Sequence, residues 1–329
     1  MAHEKKTIGL RRWWPVLPPI GILLGIVIAL FIPWKIADLS SHPHPARDYQ
    51  DAVRRIDTLK AGETALNPVC RTQFMTHGQR VDRAIVFVHG YTTCPQQFNE
   101  LGKRFYALGY NVLIAPVPHH GLLDRMTDEQ ARLSAEEIAV YTDQVMDIAR
   151  GLGAHVAMAG ISLGGIATAW AAQNRSDLDL AVLIAPGFGY KQIPTFWTVP
   201  IANLFQILPV SFDWWTPALK ENGGPSYAYP RYSRRTLGEI MRLGFAVQAA
   251  ARRAAPAARA IVVVTNAADP AVNNELTAQV VQDWRAQGAN LSTYEFGIQL
   301  GLGHDIIDPG DQNGNIELVY PRLIELINK

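Results

Sequence analysis

Ala154-His155-Val156-Ala157-Met158-Ala159-Gly160-Ile161-Ser162-Leu163-Gly164-Gly165-Ile166 reads as a strand, a tight turn and the start of a helix. Ala154 to Ala159 is mostly apolar, and Ile166 to Gln173 is rich in helix formers. The turn between them is Gly-x-Ser-x-Gly. In this context the turn holds its serine in a strained backbone conformation and lifts the hydroxyl above a sheet. Glycine is needed on both sides, because side chains there would clash with the neighbouring strand and helix. Ser162 is the candidate nucleophile.

A serine placed this way is served by an acid and then a histidine further along the chain. Of nine histidines only His304 follows Ser162, in Gly301-Leu302-Gly303-His304-Asp305. A base there takes the serine proton and passes it to a leaving group. The acid should follow a buried strand. Ile261-Val262-Val263-Val264-Thr265 is the best such strand in the second half, and Asn266-Ala267-Ala268-Asp269-Pro270 follows it. Asp269 is assigned the acid role, against the alternative that it only opens a helix over Val272 to Gly288. Asp305 and Asp308 stand in the wrong order, and Glu295 lies inside an expected strand.

Upstream, Ala84-Ile85-Val86-Phe87-Val88 is a second buried strand, followed by His89-Gly90-Tyr91. Two backbone N–H groups must face the charge that develops on a substrate oxygen. The expectation is Leu163, next to the serine, and Tyr91. His89 precedes the nucleophile and is read as a brace for its loop.

These residues resemble the α/β-hydrolase superfamily, in particular its compact carboxylesterases and monoacylglycerol-lipase-like members. The resemblance spans roughly Leu66 to Lys329. It rests on His89-Gly90-Tyr91, the serine pentapeptide, Asp269 and His304. Pro116-Val117-Pro118-His119-His120-Gly121 is similar to the family's Pro-x-x-Gly-His-Gly segment, with His119 in place of glycine, so a change of loop shape is expected. The resemblance implies serine-based hydrolysis through an acyl-enzyme and does not fix the substrate; an acyl ester is the expected one. Amide or peptide cleavage and acyl transfer use the same triad and stay open. A tethered binding protein that has lost catalysis is the reading from another class, and the complete triad argues against it.

The elements alternate as Ala84–Val88, Gln96–Leu108, Asn111–Ala115, Ser134–Arg150, Ala154–Ala159, Leu163–Gln173 and Leu180–Ile184. That pattern predicts an α/β fold with a mostly parallel sheet and helices on both faces. The alternation stops between Pro186 and Arg259, and residues 187–259 are read as a cap inserted over the site. The cap is rich in aromatics, and Trp197, Trp214 and Trp215 are candidates to line an acyl pocket, or else to form the cap's own core. Ala249 to Arg259 is expected to be a polar-faced helix returning to the sheet.

The first 34 residues have a different character. Lys5, Lys6, Arg11 and Arg12 precede an uncharged stretch, Trp13 to Trp34, with tryptophans at both ends. Its length suits a single transmembrane anchor, residues 13–34, with residues 1–12 cytoplasmic and the catalytic domain extracytoplasmic, periplasmic or extracellular. A cleaved signal peptide is the rival, although no convincing small-x-small site follows Phe31. Residues 35–47, with Ser40-Ser41-His42-Pro43-His44-Pro45, read as a solvated linker, and 48–329 as the hydrolase domain, starting with a helix over Asp48–Lys60.

The two cysteines, Cys70 and Cys94, are expected to pair in an oxidising compartment, with two reduced thiols as the alternative. A net charge of +1 suggests no nucleic-acid partner. No cofactor or metal is implied: no Cys or acidic cluster lies close to His42 and His44 in sequence, and Gly301-x-Gly303 is too short for a dinucleotide fingerprint. The expected partners are a small-molecule or lipid ester and a membrane; the oligomeric state is not legible.

Overall fold

The computed structural model describes residues 17–34, 39–311 and 313–328. In chain order the described strands are β1 (Gln73–Met75), β2 (Val81–Val88), β3 (Asn111–Ile114), β4 (Gly153–Ile161), β5 (Leu180–Ile184), β6 (Phe212–Trp214), β7 (Arg231–Ser233), β8 (Ile261–Asn266) and β9 (Leu291–Phe296). The helices are α1 (Leu17–Leu30), α2 (Tyr49–Ala61), α3 (Asn99–Ala107), α4 (Ala135–Leu152), α5 (Leu163–Asn174), α6 (Thr198–Ile207), α7 (Pro217–Asn222), α8 (Arg234–Ala251), α9 (Asn274–Ala286) and α10 (Ile316–Ile327).

Seven strands form one sheet in the order β1-β3-β2-β4-β5-β8-β9. Every pair is parallel except β1 with β3. A parallel sheet must be covered on both faces, and the alternation of side chains along β2 shows how. Ala84, Val86 and Val88 join the core under α2, α4, α5, α8 and α9, with Ile56, Ile138, Trp170, Leu243 and Trp284. Ile85 and Phe87 join the other core, under α3 and α10, with Leu101, Phe105 and Leu323. The central strands β2, β4 and β5 end at the same edge, where the loops carrying function emerge.

Three details differ from the sequence reading. β1, β6 and β7, each only three residues long, have no counterpart in it. The Ala249–Arg259 helix is absent: α8 stops at Ala251, and the chain reaches β8 through turns. Pro256 explains this, since it disfavours a helical residue before it and supplies no N–H. The helix after Asp269 begins at Asn274, and its cap is Asn273, whose side chain accepts from Glu275 N–H at 3.0 Å.

The stretch 39–47 is exposed on its outer side but is not loose. Asp143 Oδ1 accepts from Ser41 Oγ at 2.6 Å and its Oδ2 from His42 N–H at 2.8 Å. Asp147 Oδ2 accepts from His44 N–H at 2.8 Å, and Trp170 Nε1 donates to Leu39 O at 3.2 Å. The same two aspartates hold Arg175, a fully buried guanidinium, at 2.8 and 2.7 Å. A buried cation demands carboxylate partners, and their remaining lone pairs then bind the strap.

α1 has 14 residues, a rise of about 21 Å against a hydrocarbon core of about 30 Å. Among the described residues no helix is long and apolar enough to cross a membrane. The segment 1–12, expected to be cytoplasmic, and the first part of the expected 13–34 anchor lie outside the described residues.

Candidate active site

β4 runs into α5 through Ser162, whose backbone sits at φ 56, ψ −112. The strain is held from three sides. Ser162 N–H donates to Ile184 O, and Ser162 O accepts from both Ile166 N–H and Gly187 N–H, each at 3.1 Å. The flanking glycines are needed for close approach rather than for their own dihedrals. A methyl at Gly160 would overlap the Gly164 carbonyl, and one at Gly164 would overlap the Val88 carbonyl. Ser162 is 9% exposed.

Asp269 follows β8 and His304 follows β9, the two strands on the far side of β5. His304 Nδ1 lies 2.8 Å from Asp269 Oδ2. A carboxylate only accepts, so Nδ1 carries a proton, and it is in the neutral ring that Nε2 keeps its lone pair. The other oxygen, Oδ1, accepts from Ala271 N–H at 2.8 Å and Val272 N–H at 3.1 Å, which fixes the carboxylate plane. Burial works against the charged imidazolium, but the Asp269 carboxylate outweighs it, with help from Asp305 and Asp311, and raises the His304 pKa to about 9. The runners-up are committed elsewhere: Asp305 accepts from Gln97 Nε2 at 2.9 Å and Asp308 from Tyr227 Oη at 2.6 Å.

The loop after β2 brings Tyr91 beside this group. Gly90 N–H is already used, donating to Gln97 Oε1 at 2.8 Å. Among the described residues, neither Tyr91 N–H nor Leu163 N–H donates to a protein acceptor. Those are the two amides expected to meet a substrate oxygen. A methyl at Gly90 would stand 3.6 Å from Ser162 Cβ, so this loop lies against the nucleophile.

The same loop is fastened to the cap. Tyr91 Oη accepts from Ser233 N–H at 2.9 Å and donates to Gln130 Oε1 at 2.8 Å. Thr92, at φ 70, accepts from Tyr229 N–H at 2.7 Å through its carbonyl and from Trp215 Nε1 at 2.8 Å through its hydroxyl. The disulfide Cys70–Cys94 closes the other end of the loop. Gly121, at φ 73, packs on it so closely that a methyl there would lie 2.6 Å from Cys70 Cβ.

His89 braces the loop as expected. Its Nε2 accepts from Val117 N–H at 2.9 Å, and its Nδ1 lies 2.9 Å from Gly90 O. Burial, with His120 nearby, lowers its pKa to about 3, so it stays neutral. His119 adopts φ 64, the left-handed conformation that glycine favours, so the loop keeps a glycine-like turn despite the substitution. Glu137, 3.2 Å from His119 Nε2, holds its ring.

The three cap tryptophans are not brought together. Trp215 stands over the Tyr91 loop, its ring 6.2 Å from Tyr91 and 4.3 Å from Tyr232. Trp214 lies on β6, opposite Arg231 of β7. Trp197 is 47% exposed and meets Phe31 and Phe196 beside α1. Three polar residues escape sequence reasoning. Gln97 links Gly90 to Asp305, Gln130 links Tyr91 to the cap, and Asn266 Nδ2 holds the His304 loop through Leu302 O at 3.0 Å and Gly303 O at 2.7 Å. Only Asn266, at a strand end before the acid, carries any positional signal.

Solved structures share this architecture. One of the metagenome-derived lipolytic enzymes LipS and LipT superposes with a TM-score of 0.58 at 18% identity, covering 80% of this chain and 99% of that one. The monoacylglycerol lipase of Paleococcus ferrophilus gives 0.57 at 17%, covering 78% and 97%. A soluble variant of the Saccharomyces cerevisiae monoglyceride lipase gives 0.59 at 14%, covering 78% and 90%. At such identities the likeness establishes the fold. No curated protein matches the chain. The family model described as serine aminopeptidase, S33, matches residues 79–307, a span that begins just before β2 and ends past His304. The chain belongs to that family of α/β-hydrolases.

Proposed function

We propose that the protein is a serine carboxylester hydrolase, held at a membrane by its N-terminal segment, with its catalytic domain on the extracytoplasmic side. The observation that carries the catalytic part is the 2.8 Å Asp269–His304 contact, taken together with the strained serine at φ 56 on the β4–α5 turn. Ser162 Oγ attacks the acyl carbonyl as His304 Nε2 takes its proton. Leu163 and Tyr91 N–H groups hold the oxyanion. His304 then protonates the departing alkoxide, and water repeats the sequence on the acyl-enzyme. The lipolytic and monoglyceride-lipase folds it resembles support an acyl ester as substrate. A disulfide and a charge-free N-terminal run preceded by Arg11 and Arg12 support the extracytoplasmic placement.

A chain-length series of aryl esters tests the reading. Each methylene buried contributes about 0.8 kcal/mol, or roughly fourfold in kcat/KM, until the pocket is full. Activity is expected to rise from acetate toward medium chains. A steady fall from acetate rejects the lipid-like acyl group, and no reaction of Ser162 with a fluorophosphonate rejects the hydrolase.

The family description favours a second reading, cleavage of an aminoacyl amide. The raised His304 pKa suits protonation of a leaving amine. Aminoacyl arylamides hydrolysed faster than matched esters would establish it.

A further inference from the structure

We infer that the cap itself docks on a lipid bilayer, through the exposed apolar face of α6 and the turns that flank it. Phe196 and Ile207 are 69 and 57% exposed, and Trp197, Leu204, Leu208 and Val210 are exposed beside them. Six large apolar side chains within this short segment make a patch, and such patches mark interaction surfaces.

The occupant is identified by what the patch adjoins. Asn203, buried on α6, donates from Nδ2 to Leu30 O at 2.8 Å and Ile32 O at 2.9 Å, which satisfies carbonyls at the C-terminal end of α1. Phe31 lies 5.1 Å from the Phe196 ring and 5.5 Å from Trp197. α1 beyond this contact is apolar around its circumference: Ile22, Leu24, Ile26, Val27 and Ile28 are all exposed, and at about 100° per residue they point to every side. A helix apolar all round fits hydrocarbon. Its end is fixed to α6, so the patch sits where that helix leaves the bilayer. Aromatic rings at that depth suit the interface. Further along, the strap 39–47 holds the chain to α4 and α5.

This inference rests on the proposed membrane anchor, and the experiment separates the two. The full chain is placed in vesicles of phosphatidylcholine and phosphatidylglycerol at about 3:1, a composition with an anionic surface. An environment-sensitive fluorophore is attached through a new cysteine, either within α1, by Leu24→Cys, or on the patch, by Ile207→Cys or Val210→Cys. Val140→Cys, on α4, is the control. Lipids carrying a quencher at a shallow acyl position are then added. Quenching at Leu24→Cys, Ile207→Cys and Val210→Cys, with none at Val140→Cys, supports docking. Quenching at Leu24→Cys alone overturns the docked cap and leaves the anchor standing. No quenching at any position overturns both.

Activity gives a second reading. Ile207→Asp with Val210→Asp is expected to lower hydrolysis of a vesicle-borne ester by about tenfold or more, while a soluble aryl acetate is cleaved as before. Equal loss on both substrates, or on neither, rejects the docked cap.

Discussion

The Tyr91 hydroxyl accepts the Ser233 backbone N–H at 2.9 Å, across 142 residues of chain. The backbone of Tyr91 lies beside the nucleophile while its side chain is fastened where β7 passes into α8. The position of one proposed oxyanion donor is thereby tied to the cap.

Tyr91→Phe leaves Ser233 N–H and the buried Gln130 Oε1 without a partner. The cost is about 1–3 kcal/mol, seen as a lower Tm. Because the oxyanion contact strengthens in the transition state, kcat should fall by about tenfold with KM little changed. A lower Tm with wild-type kcat would mean that the bolt does not position the amide.

Ser162→Ala removes fluorophosphonate labelling and ester hydrolysis without unfolding the protein. Gly164→Ala is expected to abolish labelling and to unfold the chain as well, because its methyl overlaps the Val88 carbonyl and pushes α5 off β2. Circular dichroism beside labelling separates them. A folded, labelled Gly164→Ala protein would disprove the close-approach argument.

The proton on His304 gives a pH signature. The base must be neutral to act. Burial alone would lower its folded-state pKa, but Asp269, Asp305 and Asp311 raise it to about 9. kcat/KM should therefore climb with pH over a limb well above the ordinary histidine value. The stability from the charged pair is full below the unfolded value near 6.5 and is lost as pH rises through about 9. Asp305→Asn should move the limb to lower pH with kcat nearly kept. Asp269→Asn should move it further and cost about 10⁴ in kcat. An unmoved limb in both variants would assign it to another group.

Reducing Cys70–Cys94, 24 positions apart in sequence, should cost about 3–4 kcal/mol by the chain-entropy account. It should also loosen the Tyr91 loop and lower kcat. Thermal melts and assays with and without reductant measure both. Two cysteines alkylated in the native, unreduced protein would contradict the bridge.

Much of the sheet is legible in the sequence, because β2, β3, β4, β5 and β8 are short apolar runs flanked by turn residues, the pattern of a strand buried on both faces. Ser162, Asp269 and His304 are legible as an order along the chain, and the structure brings Asp269 and His304 into contact. Asp269 also accepts the Ala271 and Val272 amides, but these precede the helix, whose cap is Asn273, so Asp269 does not open it. The fastenings are not legible. Gln97, Gln130 and Thr92 act through partners far away in sequence, and nothing in composition or periodicity marks such pairs. The strap 39–47 looks like a linker because its own residues are polar; its order comes from Asp143, Asp147 and Arg175, about a hundred positions on.

The fastening of Tyr91 also sets a sequence of events in time. The Gly160–Gly164 elbow needs only β2, β4, β5, α5 and the Gly187 amide, which are complete early in the chain. The contacts of Tyr91 and Thr92 with Trp215, Tyr229 and Ser233 close loops of more than a hundred residues, and such non-local pairings form late. A chain still emerging from the ribosome carries its strained serine but lacks a shaped oxyanion hole and, until Asp269 and His304 arrive, a base. On refolding, recovery of esterase activity should trail recovery of helix and sheet signals. On the proposed mechanism, the chain is chemically silent until its last elements have joined.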